Sequence, residues 1–275
     1  MIRGIEARMK RRSRHEWLLL LKRFVYKRYG EPYRMQGNTL RFLPGTRPIR
    51  LKHLRSKNGV ARNDALQIRL FSSNIVEGDT VIDIGAHCGQ YAILMAALCG
   101  QTGRVIAFEP DPYARHVLLH NLKLNPLIKP PVVESYAVAE TDGEAVLFSR
   151  GGNSQSSLVR SGVEFSGSDK SEAVPVVVRS LDSYLFENRV PAPRWVKIDA
   201  EGAEIKILMG ARRLLSSNAG IVCELHPYAW PEFGDTFSDL KTLAAASGRR
   251  IRYLDPSREI GNVAEYGTVI LERQS

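Results

Sequence analysis

The chain has 275 residues, 44% hydrophobic and 25% charged, a globular composition that excludes a fibrous or largely disordered protein. No apolar run approaches the roughly 20 residues that cross a bilayer, and three scattered cysteines, Cys88, Cys99 and Cys223, exclude a disulfide framework and point to a reducing compartment. The net charge of +10 divides unevenly: residues 1–62 hold 18 Lys or Arg against Glu6, Glu16 and Glu31, giving +15, whereas 63–275 hold 21 basic and 26 acidic side chains, giving −5.

This division predicts a basic N-terminal extension over 1–62 and a main domain over 63–275. In the extension, Trp17, Leu20 or Leu21, Phe24 and Arg28 recur at helical spacing among Lys22, Arg23 and Lys27. A helix of that kind can lie in an anionic interface with its apolar face immersed. Packing on the main domain with a basic face outward, or holding RNA phosphates, are the alternatives. The expectation is a cytoplasmic protein, peripheral at the inner face of the membrane through residues 1–30. Strands over 39–42 and 49–52 flank Pro44, Gly45 and Pro48, which predicts a hairpin.

From Asn63 onward, helix and strand alternate. A helix is expected over 63–76, then a strand over 80–84, a helix over 90–98, a strand over 104–108 and a helix over 111–124 with Pro112 at its first position. Strands follow over 132–138, 145–148, 174–178, 195–198, 220–223, 251–254 and 268–271, with helices over 203–215 and 237–246. Such alternation predicts a doubly wound, mostly parallel α/β sheet covered on both faces. The Gly- and Ser-rich stretch 150–171 reads as an active-site loop.

The first chemical signal is VIDIGAHCG, 81–89. A strand ending in Asp83 runs into Gly85 and Gly89 and then a helix, so the backbone can turn tightly against a ligand. The next strand ends in AFEPDP, which puts Glu109 at the carboxyl edge, where an acid accepts hydrogen bonds from the ribose hydroxyls of an adenosine cofactor. Position 87 is His and position 90 Gln, so the G-x-G-x-x-G pyrophosphate fingerprint is missing and NAD is disfavoured. S-adenosylmethionine has no pyrophosphate, and its amino-acid end can be held by Asp83 and the Gly85 carbonyl.

The second signal is VKIDAEGAE, 196–204. A buried strand delivers Asp199 and Glu201 to the same sheet edge, and CELHP adds Glu224 and His226 after the next strand. Methyl transfer to a hydroxyl is a displacement at a sulfonium that needs alignment and a proton acceptor. Asp199 is the first candidate base, with Glu201 and His226 next. Mg²⁺ held by Asp199, Glu201 and Glu224 is a less favoured alternative. Glu204 reads as a first-turn acid facing the helix dipole. No Asn-Pro-Pro-Tyr or Asp-Pro-Pro-Tyr follows the fourth strand, which disfavours nucleobase N-methylation.

The runs GDTVIDIGAHCGQYAI, GRVIAFEPDP, NLKLN, WVKIDAEGAEIKILMGA and CELHP, in this order over roughly 62–272, resemble the FkbM family of S-adenosylmethionine-dependent methyltransferases. The resemblance implies a class I methyltransferase sheet of seven strands, the last inserted antiparallel, and O-methylation of a hydroxyl on a sugar, glycolipid, polysaccharide or natural product. By position it implies that Asp83, Gly85, Ala86 and Gly89 form the cofactor turn, with Glu109 on the ribose and His87 either on the methionine moiety or capping the turn. Asp111 lies nearby, Ala137 and Val138 border the adenine at the end of the third strand, and Asp142 is an alternative acceptor for its amino group. The expected partner is a hydroxylated small molecule or glycan, not nucleic acid. An RNA methyltransferase using the basic arm, and a non-catalytic membrane-associated protein that binds the cofactor, are the competing readings.

Overall fold

The computed structural model describes residues 22, 25–26, 29–35, 37–46, 59–149, 156–158 and 172–274. The strand at 49–52 and nearly all of 150–171 fall outside them, as does most of the expected amphipathic helix, of which Lys22, Val25 and Tyr26 are described and helical. Strands β1 (Glu31–Met35) and β2 (Asn38–Phe42) precede helix α1 (Gly59–Asn74), β3 (Thr80–Ile84), α2 (Gln90–Cys99), β4 (Arg104–Phe108) and α3 (Pro112–Lys123). Then come β5 (Val132–Glu134), β6 (Ala137–Ala139), β7 (Gly143–Ser149), β8 (Glu172–Ser180), α4 (Leu181–Glu187) and β9 (Trp195–Ile198). The chain continues through α5 (Glu204–Met209), α6 (Arg212–Leu215), β10 (Gly220–Leu225), α7 (Trp230–Phe233), α8 (Phe237–Ala246), β11 (Arg249–Tyr253) and β12 (Gly267–Arg273).

Seven strands form one sheet in the order β11-β12-β10-β9-β3-β4-β5. Every pairing is parallel except those of β12, which runs antiparallel between β10 and β11. This is the expected architecture, the last strand inserted antiparallel. Pairing of Ile84 with both Phe108 and Ile198, and of Ile198 with Cys223, brings the carboxyl ends of β3, β4, β9 and β10 to one edge.

Successive strand residues face opposite sides. Ile82, Ile84, Ile106, Phe108, Val196, Ile198 and Cys223 enter the core beneath α5, α6 and α8, whereas Val81, Val105 and Val222 enter the core beneath α1 and α2. The α2 sequence QYAILMAALC is apolar nearly all round, so the helix is buried rather than amphipathic. Asp111 caps α3 by accepting from the Tyr113 and Ala114 N–H groups ahead of Pro112, and a Thr236/Asp239 capping box opens α8.

β2 pairs with β1, with Tyr33 opposite Leu40, while the expected partner strand at 49–52 lies outside the described residues. A short turn through Gly37, at φ +78°, lets Tyr33, Met35, Leu40 and Phe42 share one buried face, and that face joins the core of α1 and α2. The strand expected over 132–138 is two strands in different sheets: β5 closes the main sheet, and β6 pairs with β8 in a separate sheet of order β6-β8-β7. The helix expected over 203–215 breaks into α5 and α6 at Gly210, where a Cβ would lie 2.3 Å from the Ala139 carbonyl oxygen of β6.

Candidate active site

Two turns meet at the sheet edge. After β3, Gly85 (φ +77°), His87 (φ +49°) and Gly89 (φ +84°) wind the chain into α2. After β9, Asp199 and Ala200 lead into Glu201 (φ +49°) and Gly202 (φ +111°). The Asp199 N–H donates to the Ile84 carbonyl at 3.0 Å, and a Cβ on Gly85 would lie 1.7 Å from the Asp199 carbonyl oxygen. Glycine at 85 is therefore required for the two turns to touch. His87 and Glu201 are two of the three non-glycine residues held at positive φ among the described residues. Left-handed strain of this kind gathers at functional sites, and here one such residue lies on each turn.

The Glu109 carboxylate is buried at the end of β4. It accepts the His87 N–H at 2.6 Å and the Asp111 N–H at 2.8 Å. Burial raises its carboxyl to about 7, because those two donors only partly offset desolvation. Asp111 is occupied structurally. Burial opposes its charge, but the hydroxyls of Ser156 and Ser149 and the N–H groups of Ala114 and Tyr113 donate to it and hold its carboxyl low.

The acids after β9 and the imidazole after β10 converge. His226 Nε2 lies 3.9 Å from Asp199 Oδ1 and 3.7 Å from Glu201 Oε2. His226 Nδ1 bonds Glu204 Oε1 at 2.8 Å, and the Glu204 carboxylate is itself fixed by the Trp230 indole N–H at 2.8 Å and the Gly202 N–H at 2.8 Å. Glu204, expected as a first-turn acid facing the helix dipole, does stand in the first turn of α5, and it is also a fully buried group that orients His226. The Tyr228 hydroxyl donates to Glu201 at 3.0 Å. Glu224 faces the Tyr266 hydroxyl and lies outside the triad of Asp199, Glu201 and His226.

Lys197 belongs to this site although sequence reasoning passed over it. It pairs with Asp83 across β9 and β3, and both face the α2 side. Its buried ammonium bonds Asp199 Oδ2 at 3.0 Å, lies 3.8 Å from Asp83 Oδ1 and sits 4.6 Å from the centre of the Tyr91 ring. Asp83 is fully buried, with the Ala92 N–H and the Lys197 ammonium facing its carboxylate. Burial raises the Asp83 carboxyl to about 6, with Lys197 pulling the other way. Burial also works against the Asp199 charge, yet Lys197 and His226 hold that carboxyl low. Glu201 is raised by burial to about 7. Burial disfavours protonated His226, but Glu204, then Glu201 and Asp199, hold its pKa at about 10. At neutral pH Asp199 is thus a stabilised anion, His226 carries its proton, and Glu201 is poised to exchange one.

Ala137 and Val138 do not end the third strand of the main sheet. They lie on β6 with buried side chains, and the carboxyl end of β5 is Glu134, whose carboxylate accepts the Tyr184 hydroxyl at 2.8 Å. Exposed Asp142 is bonded to the Ser180 N–H at 2.6 Å and to Arg179 at 3.2 Å, both on β8 and neither on the cofactor turn. One signal could have exposed Lys197: a single cation inside the apolar run WVKI needs a buried counter-charge.

A family model described as the methyltransferase FkbM domain matches residues 83–251. Hexuronic acid methyltransferase AglP of Haloferax volcanii is 26% identical over 177 residues, 64% of this chain and 65% of that protein, so the chain spans just under two thirds of the curated relative it matches. Methyltransferase FkbM from Methylobacillus flagellatus aligns with a TM-score of 0.45 and 15% identity, over 80% of this chain and 56% of that one. A SAM-dependent O-methyltransferase from Thermotoga maritima aligns with a TM-score of 0.43 and 12% identity, over 92% and 82%. The family match covers more than half the chain and takes in both turns of the site, from Asp83 at the end of β3 to Ile251 in β11: the chain belongs to the FkbM methyltransferase family.

Proposed function

We propose that this methyltransferase transfers the methyl group of S-adenosylmethionine to a hydroxyl of a sugar, with the Asp199–Glu201–His226 cluster receiving the acceptor. The carrying observation is the contact between turns: Gly85 lies against the Asp199 carbonyl, so a cofactor in the first turn presents its reactive end to the second. The first turn fits this cofactor. α2 starts at Gly89 without a side-chain cap, and the positive end of that buried helix on this turn suits the methionine carboxylate. The Glu109 carboxylate, at the adjoining strand end, suits the ribose hydroxyls. Bound there, S-adenosylmethionine supplies a methyl group on a good leaving sulfur.

The protein then has to align one hydroxyl and take its proton. Glu201 has a carboxyl near 7 and a partly exposed position, which suit a proton acceptor better than Asp199, tied to Lys197, or His226, already protonated. Asp199 would orient the hydroxyl. The relative named for hexuronic acid methylation supports a sugar acceptor. Turnover measured on a panel of uronic acids, neutral sugars and RNA tests the reading. Glu201→Gln should keep cofactor affinity and lower turnover by about 10²-fold or more. Labelling of RNA alone would replace the sugar reading. The +15 charge of residues 1–62 supports peripheral docking on anionic membrane.

A further inference from the structure

We propose that Asp199, Glu201 and His226 form a binding site for a first-row divalent cation of the Mn²⁺ or Zn²⁺ kind. Three donors from two different loops converge: their ligating atoms all lie within 4.8 Å of one another. A cation bonded at about 2.0–2.2 Å can bridge donors up to about 4.3 Å apart, and the imidazole Nε2 meets that limit with both carboxylates, at 3.7 and 3.9 Å.

The second observation is His226 itself. Its side chain is only 3% exposed and its Nε2 faces both carboxylates at 3.9 and 3.7 Å; a cation would displace the proton this nitrogen carries in the metal-free protein and take its place between them. Its other nitrogen is held by Glu204, which the Trp230 and Gly202 N–H groups fix in turn. A histidine ligand whose far nitrogen donates to a carboxylate has its tautomer and ring plane set for a metal. Lys197 takes Asp199 Oδ2 and leaves Oδ1 directed at His226.

The charges agree. Asp199, Glu201, Glu204 and Glu224 cluster here, and Lys197 is the permanent cation placed among them. One imidazole with two carboxylates suits Mn²⁺, Fe²⁺, Co²⁺ or Zn²⁺ better than the all-oxygen sites of Mg²⁺ and Ca²⁺. This revises the donor set Asp199, Glu201 and Glu224 expected for Mg²⁺, since Glu224 faces Tyr266. Three protein ligands leave coordination positions open. On the proposed reading as a sugar methyltransferase, on which this clause rests, adjacent oxygens of the acceptor would fill them, and the uncoordinated oxygen of Glu201 would still take the proton.

The test is Mn²⁺ titration of the full-length chain after EDTA dialysis, read by loss of the free Mn²⁺ electron paramagnetic resonance signal, with S-adenosylmethionine affinity measured on the same samples. The expected result is one saturable site per chain, lost in His226→Ala and weakened about 10- to 100-fold in Glu204→Gln. Because His226 is buried, Glu201→Gln on the partly exposed side is the second variant, and it should weaken Mn²⁺ at least tenfold without lowering the melting temperature. Absence of saturable binding, or wild-type binding by both His226→Ala and Glu201→Gln, overturns the proposal. If the cofactor still binds in that case, the methyltransferase reading survives it.

Discussion

Burial holds the Glu109 carboxyl at about 7, so its charge state changes within the physiological range. Ribose hydroxyls donate to the ionised form. Cofactor affinity should therefore plateau above pH 7 and fall as pH drops through that value, approaching tenfold per unit well below it. Glu109→Gln should weaken binding by about 1–3 kcal/mol above pH 7 and flatten the profile. Calorimetry at pH 6, 7 and 8 checks both, and a wild-type affinity constant across that range would remove Glu109 from the ribose. The residues legible in sequence were those whose type is unusual where they stand: glycines before a helix, an acid at a strand end. Glu204 was not, because an acid in a first helical turn is ordinary until a buried imidazole 22 residues later is seen to bond it.

At the scale of elements, Arg249 at the start of β11 joins three parts of the fold. Its buried guanidinium donates to the carbonyls of Leu214 and Leu215 at the end of α6, of Ser217 and Ala219 beyond it, and of Leu271 in β12, at 2.7 to 3.2 Å. Arg249→Met would keep much of the volume and leave those buried carbonyls without donors, so a loss of at least about 3 kcal/mol is expected in denaturant melts. A change below 1 kcal/mol would show that water replaces the arginine. Strands β3, β4, β9, β10 and β12 could be read because each holds a short apolar run followed by Gly or an acid. The break between β5 and β6 could not, because Ser135 and Tyr136 carry no turn signal and the chain changes sheets there for tertiary reasons. β2 finds a partner in β1, the strand before it, and just after β2 the Thr46 N–H closes on the Leu43 carbonyl at 3.0 Å.

For the whole molecule, the basic extension and the folded domain overlap. Tyr33, Met35, Leu40 and Phe42 lie in one core with Phe71, Tyr91 and Ile93, while Asn121 and Asn125 of the α3 region bond the backbone of Arg41 and Leu43. Deleting residues 1–30 should leave the melting temperature within a few degrees and remove flotation with anionic vesicles, each surface-proximal Lys or Arg having contributed up to about 1 kcal/mol. Deleting residues 1–62 should destabilise severely, since each of those four side chains contributes about 1.5–3 kcal/mol by burial. Equal flotation with and without residues 1–30 would remove the membrane role. Among the described residues no helix is long and apolar enough to cross a membrane.

The most direct test of hydroxyl methylation at the joined turns is the chemical fate of the transferred group. The full chain is incubated with methyl-labelled S-adenosylmethionine and a uronic acid glycoside, and the labelled product is treated with mild base. Methyl transfer to a hydroxyl predicts a base-stable methyl ether whose formation falls about 10²-fold in Glu201→Gln. Label released by base as methanol, the mark of an ester on the carboxylate, or label incorporated equally by Glu201→Gln, would contradict it.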